Sequence, residues 1–213
     1  MLDRSGRFDE AEGAYLRALE SDAASAVARF YYGWHLLARV ISAAAEADTA
    51  TRIARLEGAR ECFARCVAVE PEFAEAQFGL GLTFLLADEP ATDGQAHLER
   101  AWKELPSRMD IAYHAIRLSL ATRRLERARE ILRIVLRRFP GLFLEYVALP
   151  TEWKWYYHVA VPPSRPEEVA PLVAGALANV TDPEIRSGLE QWAKSRQTPT
   201  APSPSPGVAS PTE

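Results

Sequence analysis

Cysteine is scarce in this 213-residue chain, with two residues, and histidine is little commoner, with four. Two cysteines exclude a disulfide-stapled scaffold, and so few thiols and imidazoles leave little for a multi-ligand metal site. Lysine is nearly missing as well, at 3 residues against 22 arginines. No run of 18 uncharged apolar residues occurs; the longest apolar-rich stretches, 78–87 and 142–149, are too short to cross a bilayer. A large excess of one charge is also lacking. The net charge of −4 gives no bulk attraction to nucleic acid or to a membrane surface. The amino-terminal MLDRSGRFDEAE has no apolar run of the kind that makes a secretory leader. With two cysteines and no leader, a reducing compartment is expected, and the cytoplasm by default.

What is present is alanine, at 36 residues, within a composition that is 48% hydrophobic and 25% charged. That balance belongs to a soluble globular chain long enough to bury a substantial core. One pattern recurs along it. A small residue is followed at four by a large apolar residue, at seven by a small or apolar one, and at twelve by proline. Ala59, Phe63, Cys66 and Pro71 form the clearest copy. Gly94, Leu98, Ala101 and Pro106 form another, and Ala128, Leu132, Val135 and Pro140 a third. Ala11, Tyr15 and Ala18 make an earlier copy that lacks the proline. Spacings of four and three put these residues on one helical face, with the helix ending just before the proline.

A second helix precedes each of these. Residues 29–40 hold Gly33 and Leu36, and residues 74–87 hold Leu80, Gly81 and Phe84. Glycine in a helix interior costs roughly 1 kcal/mol against alanine, so it is expected where a neighbouring side chain packs on bare backbone. The Gly79-Leu-Gly81 sequence is read as packing of this kind and not as a phosphate loop, since it lies in a helix with no preceding strand. Over about residues 5–140 the chain resembles the tetratricopeptide repeat, a 34-residue helix–turn–helix unit. Gly94 in place of the usual alanine, Ile116 in place of glycine and Cys66 in place of alanine depart from that pattern. The resemblance implies an all-α, right-handed solenoid of about four units closed by C-terminal capping helices, acting in non-catalytic protein–protein binding.

The irregular parts set the expected organisation: repeats over 1–140, a degenerate repeat with capping helices over 141–197, and a Pro/Ser-rich tail over 198–213. The first unit reads as a second helix without its partner, so its edge is expected either to continue from a longer chain or to meet another copy. About 14 extra residues separate the helices flanking 41–53; with neither Gly nor Pro there, both helices should lengthen. After Pro140 the aromatic stretch Trp153 to Tyr157 is expected either to plug the end of the solenoid or to offer a second contact surface. Ser164 to Glu167 reads as a capping box opening a helix, and Asp182-Pro183 as the start of another with Ile185, Leu189 and Trp192 on one face. The tail carries five prolines and is expected to be disordered, with one further role as an occupant of its own chain's aromatic groove.

No nucleophile or metalloprotease signature is found, and Cys62 with Cys66 lacks further ligands, so no metal, cofactor or catalytic residue is assigned. In proteins similar to this one, the first helix of each unit lines a concave groove. The residues expected to line it here are Tyr31, Trp34, Glu75, Phe78, Tyr113, His114 and Arg117. An aromatic lining with few charges suits an extended or helical apolar segment better than a C-terminal carboxylate. Truncating Trp34 or Tyr113 to alanine is expected to weaken such binding by roughly 2 kcal/mol in a folded chain. A basic patch of Arg123, Arg124, Arg127, Arg133 and Arg137, with Arg129 and Arg138, is expected on the convex side, offset by Glu126 and Glu130 through i,i+4 pairs. Two alternatives follow: an accessory domain of a larger enzyme, or a weak binder of acidic partners or nucleic acid through that patch.

Overall fold

A computed structural model describes residues 7–42, 48–87, 91–148, 155–156, 159–160 and 166–178, together with 181–183, 185–187 and 190. Nine helices and one short strand pair are described: α1 (Phe8–Ser21), α2 (Ala26–Ser42), α3 (Thr49–Val69), α4 (Ala74–Leu85), α5 (Asp93–Glu104), α6 (Met109–Ala121), α7 (Leu125–Arg138), α8 (Pro140–Ala148), β1 (Trp155–Tyr156), β2 (Val159–Ala160) and α9 (Pro166–Ala178). The architecture is that of an all-α helical-repeat solenoid. Helices pair as α2 with α3, α4 with α5 and α6 with α7, and α1 packs on α2 as a leading second helix. The α2, α4, α6 and α8 helices also touch one after another, which makes theirs the inner row.

The repeated residues form the seams. Ala59, Phe63 and Cys66 are buried, as are Leu98 and Ala101, and Ala128, Leu132 and Val135. A Cβ on Gly33 or on Gly79 would press on the Phe63 ring, at 3.1 and 2.5 Å. The α4–α5 seam is closer still. A Cβ on Gly81 would sit 2.6 Å from Leu98, and one on Gly94 would sit 2.6 Å from the Phe84 Cβ and 3.0 Å from the Gly81 carbonyl oxygen. Gly94 is thus the counterpart of Gly81: two backbones meet where the common pattern has alanine.

The extra residues lengthen the helices on either side of 43–47. The α2 helix runs to Ser42, and α3 begins at Thr49 and spans 21 residues. Asp48 caps α3, accepting from the Thr51 N–H at 2.9 Å and its hydroxyl at 2.6 Å.

The C-terminal part returns to the α6–α7 pair. The α8 and α9 helices both pack on α6 and α7. The strand pair between them sets Trp155 opposite Ala160 and Tyr156 opposite Val159. The strand β2, which follows the aromatic stretch, packs on α2 of the first pair. Asp182 opens a further helical turn as expected, its carbonyl accepting from the Arg186 N–H at 3.0 Å, with Ile185 buried. Trp153, Tyr157, Leu189, Trp192 and the tail 198–213 lie outside the described residues.

Candidate partner-binding face

The inner row is where the sequence places a groove, and three of its helices are buried through their middle turns. Residues 33–38 of α2, 76–83 of α4 and 109–119 of α6 are buried without a break. An α-helix turns once in 3.6 residues, so a buried run of six or more leaves no open azimuth.

Of the seven groove residues, five lie beneath the surface. Trp34 is 6% exposed, Phe78 1%, Tyr113 and His114 0%, and Arg117 7%. Placing them as open lining is therefore corrected. They were positioned by helix face alone, and the covering of that face by the C-terminal part of the chain has no signature in the repeat pattern. The helix-face assignment does bring them together. Ring centroids lead from Phe73 to Phe30 (4.7 Å), Trp34 (6.3 Å), Phe78 (5.8 Å), His114 (6.0 Å), Tyr113 (5.5 Å) and Tyr146 (5.5 Å). One aromatic spine thus runs from the first helix pair to α8. Trp34 buries its Nε1–H with no acceptor. Truncating such a residue removes core, so Trp34→Ala and Tyr113→Ala should also cost stability.

Sequence reasoning passed over Arg108 and Tyr146. Arg108 grips the Asp110 carboxylate with Nε at 2.8 Å and its second nitrogen at 2.5 Å, and its guanidinium lies 5.6 Å from the centre of the Phe78 ring. This pair is almost fully buried, as a bidentate geometry permits. Burial, and then the negative charge of Asp110, push the Tyr146 hydroxyl well above its ordinary range. The spacing of Arg108 and Asp110 at a helix start was the available signal; nothing local marks Tyr146.

What stays open lies at the amino-terminal ends of α2 and α4. Val27 is 67% and Tyr31 46% exposed, Tyr31 stands edge-on to Phe30 at 5.3 Å, and Glu75 is half-buried. These residues form an apolar lip beside the Phe30–Phe73 contact.

On the outer side, α7 displays Arg123, Arg124, Arg129, Arg133, Arg137 and Arg138 as exposed, with Arg127 half-buried. Their pairing differs from the expected i,i+4 ladder. Arg127 reaches across to Glu99 of α5 at 2.7 Å and to Glu130, Arg129 pairs with Glu126, and Arg137 holds Asp182. Burial alone would raise Glu99, but the hydrogen bonds from Arg127 and Gln95 bring its carboxyl below the ordinary 4.5. Arg138 joins Arg100, Lys103 and Trp102 around a cleft of about 490 Å³ between α5 and α7.

Burial, followed by repulsion from Cys66, pushes the Cys62 thiol up to about 11, so it is a protonated packing residue at neutral pH. Among the described residues no cluster of three His, Cys, Asp or Glu could hold a metal ion, and no helix is long and apolar enough to cross a membrane.

No curated protein matches the chain. A family profile does: the one described as tetratricopeptide repeat matches residues 2–56 and 45–101. The α6–α7 pair repeats the same packing beyond the matched span. Repeats of this family typically serve as non-catalytic protein-interaction modules. With the paired helices, the inner row and the glycine seams in place, the chain belongs to the tetratricopeptide-repeat family.

Proposed function

We propose that this protein binds a segment of a partner protein on its inner row, entering at the lip formed by Val27, Phe30, Tyr31 and Phe73, with no catalytic step. The observation that carries this reading is the exposed Val27 and Tyr31 on an inner-row helix whose residues 33–38 are buried. Aromatic residues held by packing lose little entropy on binding and dominate interface energies. Glu75 and the half-buried Arg29 give the lip a polar rim. The test is affinity capture from the native source, comparing the unaltered chain with Tyr31→Asp by quantitative mass spectrometry. A specific set of captured proteins should fall at least about tenfold, as expected for loss of an aromatic anchor. Equal capture by both chains would overturn the reading.

A second reading rests on the outer cleft. Arg100 and Arg138 flank Trp102 there, and neither forms an ion pair among the described residues. An acidic segment would suit that cleft better than nucleic acid, because a single aromatic offers no series of bases a stacking platform. Binding of an acidic probe peptide that falls steeply with salt and is lost in Arg138→Glu supports this second surface; salt-independent binding removes it.

A further inference from the structure

We propose that α2 is a docking surface for a short, extended, uncharged aromatic or β-branched segment, and that the chain's own strands, Trp155–Tyr156 and Val159–Ala160, are its resident occupant. A partner would then bind α2 by taking their place. This deepens the protein-binding reading and rests on it.

The path of the chain is the first support. The α8 helix leaves the stack against α6 and α7, β2 reaches α2, and α9 is back against α6 and α7. Between α2 and α6 in the inner row stands α4, so the excursion covers two interhelix spacings of about 8–10 Å each. Eleven Cα steps separate Ala148 from Val159, a reach of up to about 40 Å, which exceeds this span. The attached segment can therefore sit on α2 as an intramolecular ligand.

The second support is that the strand pair cannot hold itself together. It has two residue pairs, and an isolated two-stranded ribbon is marginal in water even when longer. The residues between its strands are Tyr157 and His158, whereas tight hairpins favour Asn-Gly or Asp-Gly. Its persistence therefore depends on the surface beneath it.

That surface is the third support. Residues 33–38 of α2 are buried on all sides, and α1, α3 and α4 account for three of them. The strand β2 packs on α2 as well, while Val27 and Tyr31, nearer the helix start, are left exposed. The basic side chains of α2 are Arg29, His35 and Arg39, with no acidic ones, and Arg39 is already held by Asp9 at 2.7 Å. The strand residues, Trp, Tyr, Val and Ala, likewise carry no charge.

The experiment uses the segment in trans. A fluorescein-labelled peptide spanning residues 151–162 is titrated by anisotropy against the full chain and against a full chain carrying a Gly/Ser replacement of residues 155–160. Far-UV circular dichroism checks that both are helical. The replaced chain should bind the peptide at least about tenfold more tightly, because no fraction of its sites is already filled. Val159→Pro, which removes one N–H from the strand pair, keeps the rest of the segment and should give a smaller gain of the same sign. Equal affinity for all three chains, or no binding by folded replaced and Val159→Pro chains, would overturn the resident role. That failure is separable from failure of the protein-binding reading, because Tyr31→Asp acts at the open lip and is scored on captured partners, not on the peptide.

Discussion

At the scale of single residues, the glycines show how closely each repeat has been fitted. A Cβ at Gly94 would meet the Phe84 Cβ and the Gly81 carbonyl, atoms fixed to helical backbone that cannot swing away. Gly94→Ala should therefore destabilise the chain by about 2 kcal/mol despite alanine's better helix propensity, as overpacking of a close seam does. At Gly175 in α9, a Cβ would meet nothing within 4 Å, so Gly175→Ala should stabilise by about 0.5–1 kcal/mol. Urea titration of both variants checks the opposite signs. Arg123 is the converse case. It sits at φ 60°, closing α6 with bonds from its own N–H to the Leu120 carbonyl and from the Arg124 N–H to the Ser119 carbonyl. That is the position glycine normally takes at a helix end, and a side chain there costs about 1 kcal/mol. Arg123→Gly should raise the denaturation midpoint accordingly, while Arg123→Ala should leave it nearly unchanged. Gly94 read as a departure from the common pattern, yet it is the residue the seam requires. That could not be seen in the sequence, because its partner Gly81 is thirteen residues away and the contact is backbone to backbone.

Between elements, polar ties hold successive helices in register. The Gln77 side chain on α4 donates to the Pro71 carbonyl at 2.6 Å, and its oxygen accepts from His97 Nδ1 on α5 at 2.7 Å. His97 also stacks on Phe84 with centroids 6.1 Å apart. Burial, and then the positive charge of Arg100, hold His97 below its ordinary value of 6.5, with Asp93 opposing. The unfolded chain therefore takes up this proton at a higher pH than the folded one. Stability linked to His97 is intact above about pH 6.5 and declines as the pH drops below it. Calorimetric melting temperatures measured from pH 7.5 to 5 should fall less steeply in His97→Gln, which keeps a donor for Gln77 and cannot titrate in that range. An unchanged slope would mean that the tie does not govern this part of the pH profile. His97 appeared in the sequence only as one of four scattered histidines; its role depends on a partner twenty residues away on the neighbouring helix.

For the whole molecule, the decisive feature is that the inner row is enclosed. Trp34 is surrounded by Phe30, Phe63 and Phe78, so Trp34→Ala should cost about 3–5 kcal/mol of stability and lower the melting temperature strongly. Tyr31→Asp, at an exposed position, should leave the melting temperature within a few degrees and act on partner capture instead. The pair separates core from contact surface within one helix turn. The same enclosure shifts the binding question from which residues line a groove to what must move before a groove exists. A strand pair of two residues each, held by a surface and not by its own ladder, is the least costly part of that enclosure to displace.

The sequence by itself determined the repeat. Small residues, large apolar residues and prolines at fixed spacings specify helix ends and helix faces locally, and the alanine excess records where paired helices touch. It also determined which side chains share the inner row, because helical periodicity alone decides that Trp34, Phe78 and Tyr113 point the same way. Only the tertiary structure decided whether that row is open. Coverage by α8, α9 and the strand pair depends on where a segment some 120 residues downstream of α2 comes to rest, and no local spacing encodes so distant a contact. The pattern within each repeat follows from short-range sterics; the occupancy of the groove follows from long-range chain return.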